Sequence, residues 1–264
     1  MDQENGEKYT VKVAERCFEI LDLAISQEEP LTNQNVAAHL KINTNMAFRL
    51  LSTMVNSGYL TKDESSGQYH ISLKVLHLTR KSLLSLDIRR ISMPYLELLW
   101  HQFPKANLNM AVYYDGDILV LDRIDSVSLP RTYFTPGKVL PFHCTGLGKV
   151  LTSEMPEEDI DRLVLEKGLN SYTTYTISDP VSLKKELAKV REEQCARDRN
   201  EFILNDNCNA VPIRNQKGAV IAAISLSAFE NYMSVEEVEN TMPVLMETGR
   251  KISFLMGYQK GSIL

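Results

Sequence analysis

The segment Pro30–Tyr69, PLTNQNVAAHLKINTNMAFRLLSTMVNSGYLTKDESSGQY, decides the architecture of the first part of the chain. Val36, Ala37 and Leu40 recur at helical spacing behind Thr32 or Asn33 as N-cap, and Lys41-Ile42-Asn43 makes a short turn. Ala47, Leu50, Leu51, Met54 and Val55 then form the apolar stripe of a second helix, which Gly58 ends. Tyr59-Leu60-Thr61 and Gln68–Ser72 flank the polar turn DESSG as two short strands. Helix, turn, helix and hairpin in this order predict a winged helix-turn-helix. The second helix leaves Thr44, Asn45, Phe48, Arg49 and Ser52 facing outward as groove-reading candidates, and Lys62 on the hairpin joins Arg49 as a phosphate contact. Asn45 is the candidate for a bidentate adenine contact.

Charge supports this reading. Six basic and two acidic side chains make Pro30–Lys81 net +4, within a chain of net −5. A local basic surface on an acidic protein suits phosphate contact without general stickiness to polyanions, and a dimer is needed for tight binding. At 264 residues and 44% hydrophobic, the chain is long enough for two domains. It holds no run of apolar residues long enough to span a membrane and no signal-peptide pattern, so a cytoplasmic protein with no membrane partner is expected. Cys17, Cys144, Cys195 and Cys208 lack CxxC spacing and fit reduced thiols; the five histidines show no paired ligand spacing. No metal and no cofactor is implied. The polar tip Met1–Lys8 is expected to be disordered.

The expected organisation is a DNA-binding domain over residues 9–72, a connecting helix over 73–91 and an effector domain over 92–264. Val13, Ala14, Cys17, Phe18, Leu21, Ala24 and Ile25 predict a first helix covering the reading pair. The apolar face of the connecting helix is buried either against the second domain or against a second subunit. Beyond it, a helix over Leu96–Phe103 precedes strands Leu108–Tyr114 and Ile118–Ile124 around Asp115-Gly116-Asp117. A second strand pair, Ala210–Arg214 and Ala219–Leu226, brackets Asn215–Gly218. Asp179-Pro180 opens a helix ending near Gln194, and a capping box at Ser234–Glu237 opens a last long helix to about Gly257. Hairpins with segregated helices give an α+β fold with a mainly antiparallel sheet.

Five segments carry a resemblance to a known family: LTNQNVAAHLKINTNMAFRLLSTMVNSGYL, YYDGDILVLDRIDS, GKVLPFHCTGLGKVLTSEMPEE, the TISDP helix start, and AVPIRNQKGAVIAAISLSA. In this order, from about Val11 to Tyr258, the chain resembles the isocitrate-lyase-regulator (IclR) family of bacterial transcription regulators. The resemblance implies a winged helix-turn-helix joined by a helix to a GAF-like effector-binding domain, assembled as a homodimer or homotetramer. The partners it implies are a double-stranded DNA operator and a small carboxylate effector.

The effector site follows partly from chemistry. The turn His143–Lys149 enters a helix, so the N–H groups near Gly146 and Leu147 offer a seat for a carboxylate. Ser225 and Ser227 share one face of a strand and converge on that seat. The family resemblance adds Asp198, which would accept a ligand hydroxyl, and Cys208, with apolar walls at Leu129 and Leu140. Departures from the family pattern make the site more polar: Arg199 and Asn200 break an acidic run, and Asp206 replaces an apolar or glycine residue. A sugar acid is then favoured over an aromatic acid, unless Asp206 faces solvent. The reading-helix turn also departs, so no operator preference carries over. The rival readings are a small-acid sensor or protein-docking module without DNA binding, and a Cys144-dependent hydrolase. The latter is disfavoured because adjacent His143 and Cys144 lack an orienting third group.

Overall fold

The computed structural model describes residues 10–27, 29–84, 87–127 and 134–259, with the side chains of 80–84 left undescribed. Two compact units divide between residues 85 and 86. The expected disorder of Met1–Lys8 and the expected wall residue Leu129 lie outside the described residues.

In the first unit, α1 (Lys12–Ser26), α2 (Asn33–His39) and α3 (Thr44–Asn56) enclose a core of Ile20, Leu31, Val36, Ala47, Leu50, Leu51 and Met54. Thr32 is the N-cap of α2: its Oγ1 accepts from the Asn35 N–H at 3.1 Å, while Asn35 Oδ1 accepts from the Thr32 N–H at 2.7 Å. Lys41, at φ 51°, makes the sharp turn, and Asn43 caps α3 through Met46 N–H. Two strands, β1 (Leu60–Lys62) and β2 (Tyr69–Ile71), pair antiparallel as the wing, and a bridge from Leu31 to Tyr69 ties it to the helices. Buried Leu60 and Tyr69 anchor it to the same core. Helix α4 (Val75–Leu84) closes this unit.

The second unit opens with α5 (Asp87–Gln102), so the helix expected over 73–91 is found as α4 and the start of α5, with residues 85–86 undescribed between them. The helix expected from Leu96 begins earlier and runs through Pro94. Its buried stripe of Ile88, Ser92, Leu96 and Leu99 continues across the proline, and burying that face outweighs the one backbone hydrogen bond Pro94 removes.

Six strands form one sheet in the order β5-β4-β3-β8-β7-β6. These are β3 (Asn107–Tyr114), β4 (Asp117–Ile124), β5 (Val139–Leu140), β6 (Ala196–Arg199), β7 (Asp206–Arg214) and β8 (Val220–Phe229), every pairing antiparallel. On one face lie α6 (Gly146–Thr152), α7 (Glu157–Lys167) and α8 (Pro180–Glu193), over a core that includes Ala111, Ala210, Ala223, Leu147 and Leu187. Against the other face pack α5, α9 (Val235–Glu239) and α10 (Met242–Leu255). Asp179 caps α8 as expected, its carboxylate accepting from Ser182 N–H at 2.9 Å. The last long helix is instead two, because the chain restarts at α10 with Pro243 in the first turn, where its missing N–H costs nothing.

Small side chains let α6 lie close to the sheet. A Cβ on Gly148 would fall 2.5 Å from the Phe142 carbonyl oxygen, and one on Gly146 would fall 3.0 Å from Ala210 Cβ and 3.2 Å from Cys208 Sγ. This brings the α6 entry down onto the sheet where polar residues gather.

Candidate functional site

Cross-strand register determines which side chains share the α6 face. Asp198 pairs with Cys208, Cys208 with Ser227, and Ser227 with Asn107, forming one row. The next row runs Ala196, Ala210, Ser225, Asn109 and Arg123. Because side chains alternate along a strand, both rows and Asp206 lie on one face, beneath Gly146. Of the expected residues, Gly146, Asp198, Cys208, Ser225 and Ser227 are thus brought together. Leu140 and Leu147 are buried in the apolar core that flanks them, so Leu147 offers the region only its backbone.

The hydrogen bonds define the state of each group. Asn109 Nδ2 donates to Ser225 Oγ at 3.4 Å, and Asp198 Oδ1 accepts from the Glu201 N–H at 2.8 Å. Thr145 Oγ1 accepts from Gly148 N–H at 3.0 Å, and the first intrahelical backbone bond is Lys149 N–H to Thr145 O, so Gly146 and Leu147 precede the helical ladder. Arg123 bonds Asp125, and its Nη1 donates to Asn109 Oδ1 and Phe134 O, each at 3.4 Å. Its guanidinium carbon sits 5.8 Å from the Phe134 ring centroid. Asp206 Oδ1 is buried with no hydrogen-bond partner among the described residues.

Electrostatics follow from burial. Desolvation pushes the Asp198 carboxyl well above its ordinary value, with nearby Glu201 adding to it and Lys149 opposing. Desolvation raises Asp206 to about 7, with the Arg123 cation opposing. Lys149 is fully buried; desolvation works against its charge, but Glu201 and Glu186, at 2.6 and 3.2 Å, outweigh it and hold the ammonium above its usual range. Burial pushes the Cys208 thiol far up, so this sulfur acts as a small apolar group with a weak donor. Cys144 is likewise buried with its thiol raised by desolvation, and His143 Nε2 lies 3.1 Å from Asn170 O. A neutral buried thiol beside a histidine engaged elsewhere gives no activated nucleophile.

Two inward residues escaped the sequence reading. Arg123 was hidden by a bulge: counting back from the Asp115-Gly116 turn places Asp122 opposite Asn109, but an irregularity beside Met110 and Ala111 shifts the register, and Arg123 pairs with Asn109 instead. The face of Asn109 follows from its pairing with Ser225, which hairpin counting alone does not supply. Burial of Asp206 settles its orientation away from solvent.

On the first unit, Thr44, Asn45, Phe48 and Arg49 are exposed on α3, while Ser52 is only half-exposed. Thr44 and Asn45 open α3, and Phe48 and Arg49 follow one turn later, so the four share its outer face. Lys62 is exposed on the wing but its ammonium is held by Glu64 at 2.8 Å. Strand β1 therefore presents a paired charge rather than a lone cation at that position.

Comparison with known proteins locates both units. A model of the IclR helix-turn-helix domain matches residues 13–64, and a model of the bacterial transcriptional regulator IclR C-terminal matches residues 80–254. The chain belongs to the IclR family of bacterial transcriptional regulators. Among its relatives, the HTH-type transcriptional repressor AllR of Escherichia coli K12 is 26% identical over 223 residues, covering 84% of this chain and 82% of AllR. The HTH-type transcriptional regulator XynR of the same organism is 26% identical over 248 residues, covering 94% and 98% of the two chains. In fold, the chain is similar to an IclR homolog from Microbacterium hydrocarbonoxydans solved with 4-hydroxybenzoate: TM-score 0.78, 20% identity, 92% of this chain and 98% of that one. Family members are regulators, and this chain carries both the family's DNA-reading domain and its effector-binding domain. No helix among the described residues is long and apolar enough to cross a membrane.

Proposed function

We propose that the protein is a repressor whose hold on an operator is governed by a small carboxylate bound on the α6 face of the sheet. The convergence of Asp198, Cys208, Ser225 and Ser227 beneath Gly146 carries this reading. Ser225, Ser227 and the N–H groups of Gly146 and Leu147 supply donors for a carboxylate, Arg123 supplies a nearby positive field, and Asp198 receives a ligand hydroxyl. Repression is taken from AllR, and the Microbacterium homolog supports a hydroxylated acid as ligand. A sugar acid or keto acid is the favoured class, since the buried polar residues suit several oxygens.

On the DNA side, Thr44, Asn45, Phe48 and Ser52 probe base edges and Arg49 contacts a phosphate; Lys62 does so after release from Glu64. The assembly is a homodimer or homotetramer working in the cytoplasm, placing two α3 helices on two half-sites. A ligand changes DNA affinity only by its differential binding to two arrangements, and a tenfold change needs about 1.4 kcal/mol of coupling. The test is to titrate sugar acids, keto acids and 4-hydroxybenzoate into the protein–DNA complex. At least one acid is expected to shift DNA affinity, and Ser225→Ala with Ser227→Ala to abolish the shift while leaving acid-free DNA binding intact. A shift unchanged in that double variant overturns the site.

A further inference from the structure

Asp206 carries a buried oxygen on the α6 face with no hydrogen-bond partner among the described residues. It opens β7 on the same face as Cys208, and only 6% of the residue is exposed. Its neighbours have partners: Asp198 accepts from Glu201 N–H, and Ser225 accepts from Asn109. On the opposite face Asn207 donates to Glu230 at 3.0 Å, and Asn209 to Val238 O at 2.6 Å. Asp206 Oδ1 has none among the described residues. The charges around it are Arg123 from β4, which offsets part of the cost of its ionised form, and Asp198 from β6, which with Asp206 bears on Cys208. A buried acceptor left bare is stabilised by any donor that reaches it, and discriminates against a ligand that brings none.

We propose that Asp206 is a specificity-determining residue that receives a hydroxyl or ammonium group of the effector, so the preferred ligand is a small acid bearing a proton donor away from its carboxylate. This rests on the reading of the Ser225–Ser227 face as the carboxylate site. Selection comes from the acceptor: a hydroxy acid brings the missing donor, whereas the parent acid of the same chain length buries Asp206 against methyl or methylene groups.

The experiment is calorimetric titration of the full chain with two matched pairs: propanoate against 3-hydroxypropanoate, and pentanoate against 5-hydroxypentanoate. In at least one pair the hydroxy acid is expected to bind about tenfold more tightly, equivalent to about 1.4 kcal/mol. Asp206→Leu is expected to erase that preference and to bind the parent acid no worse than wild type. Should Asp206→Leu fail to fold, Asp206→Asn, of the same shape, must still lose several-fold of the discrimination when measured at about pH 8 or above, where the wild-type carboxylate is ionised and a neutral amide oxygen is the weaker acceptor. Equal binding within both pairs, or a preference that survives in the variant, overturns the role of Asp206 while leaving small-acid binding standing. Binding of none of the four at ten-millimolar order overturns the carboxylate reading itself, and this inference with it.

Discussion

The burial of Asp206 has a measurable cost that depends on pH. Its carboxyl is raised from 3.8 to about 7, chiefly by desolvation. Between those values the folded chain holds a proton that the unfolded chain has released, so each pH unit upward costs the folded state about 1.4 kcal/mol. This cost is absent below about pH 4, accumulates up to about pH 7, and is constant above. Asp206→Asn removes the titration with little change of shape. The two pH units from 5 to 7 are worth about 2.7 kcal/mol, so the variant's stability relative to wild type should rise by about 2–3 kcal/mol between pH 5 and 8.5. Urea unfolding followed by tryptophan fluorescence measures it. Trp100 is the single tryptophan, lies in α5 of the same unit, and donates from Nε1 to Asp125 O at 3.0 Å. Titrating groups that do not feel the Asp206 charge cancel in the difference; Asp198 and Cys208, which do, add a smaller change. A gap that stays constant across this range refutes the raised carboxyl, and with it the view that Asp206 is shut away from water.

Further consequences concern packing and charge. Gly148→Ala should destabilise the second unit by about 2 kcal/mol or more in the same urea assay, because its Cβ meets the Phe142 backbone at 2.5–2.6 Å. Lys149→Met should cost about 3–5 kcal/mol at neutral pH, since Glu201 and Glu186 lose their buried cation; a loss under 1 kcal/mol would show that water replaces it. Gly146→Ala should weaken acid binding by displacing Cys208, with DNA affinity in the absence of acid unchanged; calorimetry and DNA titration separate the two. Thr32→Ala should lower stability of the first unit by about 1 kcal/mol through loss of the α2 cap, read by circular dichroism on thermal unfolding.

Local signals explain which parts were legible in the sequence. Helices α2 and α3, the turn at Lys41 and the wing all depend on caps, spacing and glycine within a few residues, so their order followed from the chain alone. The Asp115-Gly116 hairpin and the Asp179 cap were legible for the same reason. What failed depends on long-range satisfaction. The expected strand starts at Ala210, yet β7 begins four residues earlier at Asp206, because Asn207 finds Glu230 and Asn209 finds Val238 and Thr241 on distant elements. Missing that extension hid the alignment of Asp206 with Cys208. The bulge in β4 hid Arg123, since one inserted residue exchanges the faces of everything beyond it. Strands β5 and β6 are too short to leave a periodic pattern at all. Candidate site residues on helix ends were therefore easier to reach than those whose facing depends on register.

Ligand-controlled DNA binding is tested most directly by fluorescence anisotropy of the full chain on labelled DNA from upstream of its own gene, against scrambled DNA, over a range of salt. Wild type is expected to prefer the native DNA, with affinity falling steeply as salt rises, and Arg49→Ala to weaken binding and reduce the salt slope by about one. A carboxylate that binds the second unit should then shift that affinity. Equal binding of native and scrambled DNA, with Arg49→Ala indistinguishable from wild type at every salt concentration, would contradict the assignment of α3 as the operator-reading helix.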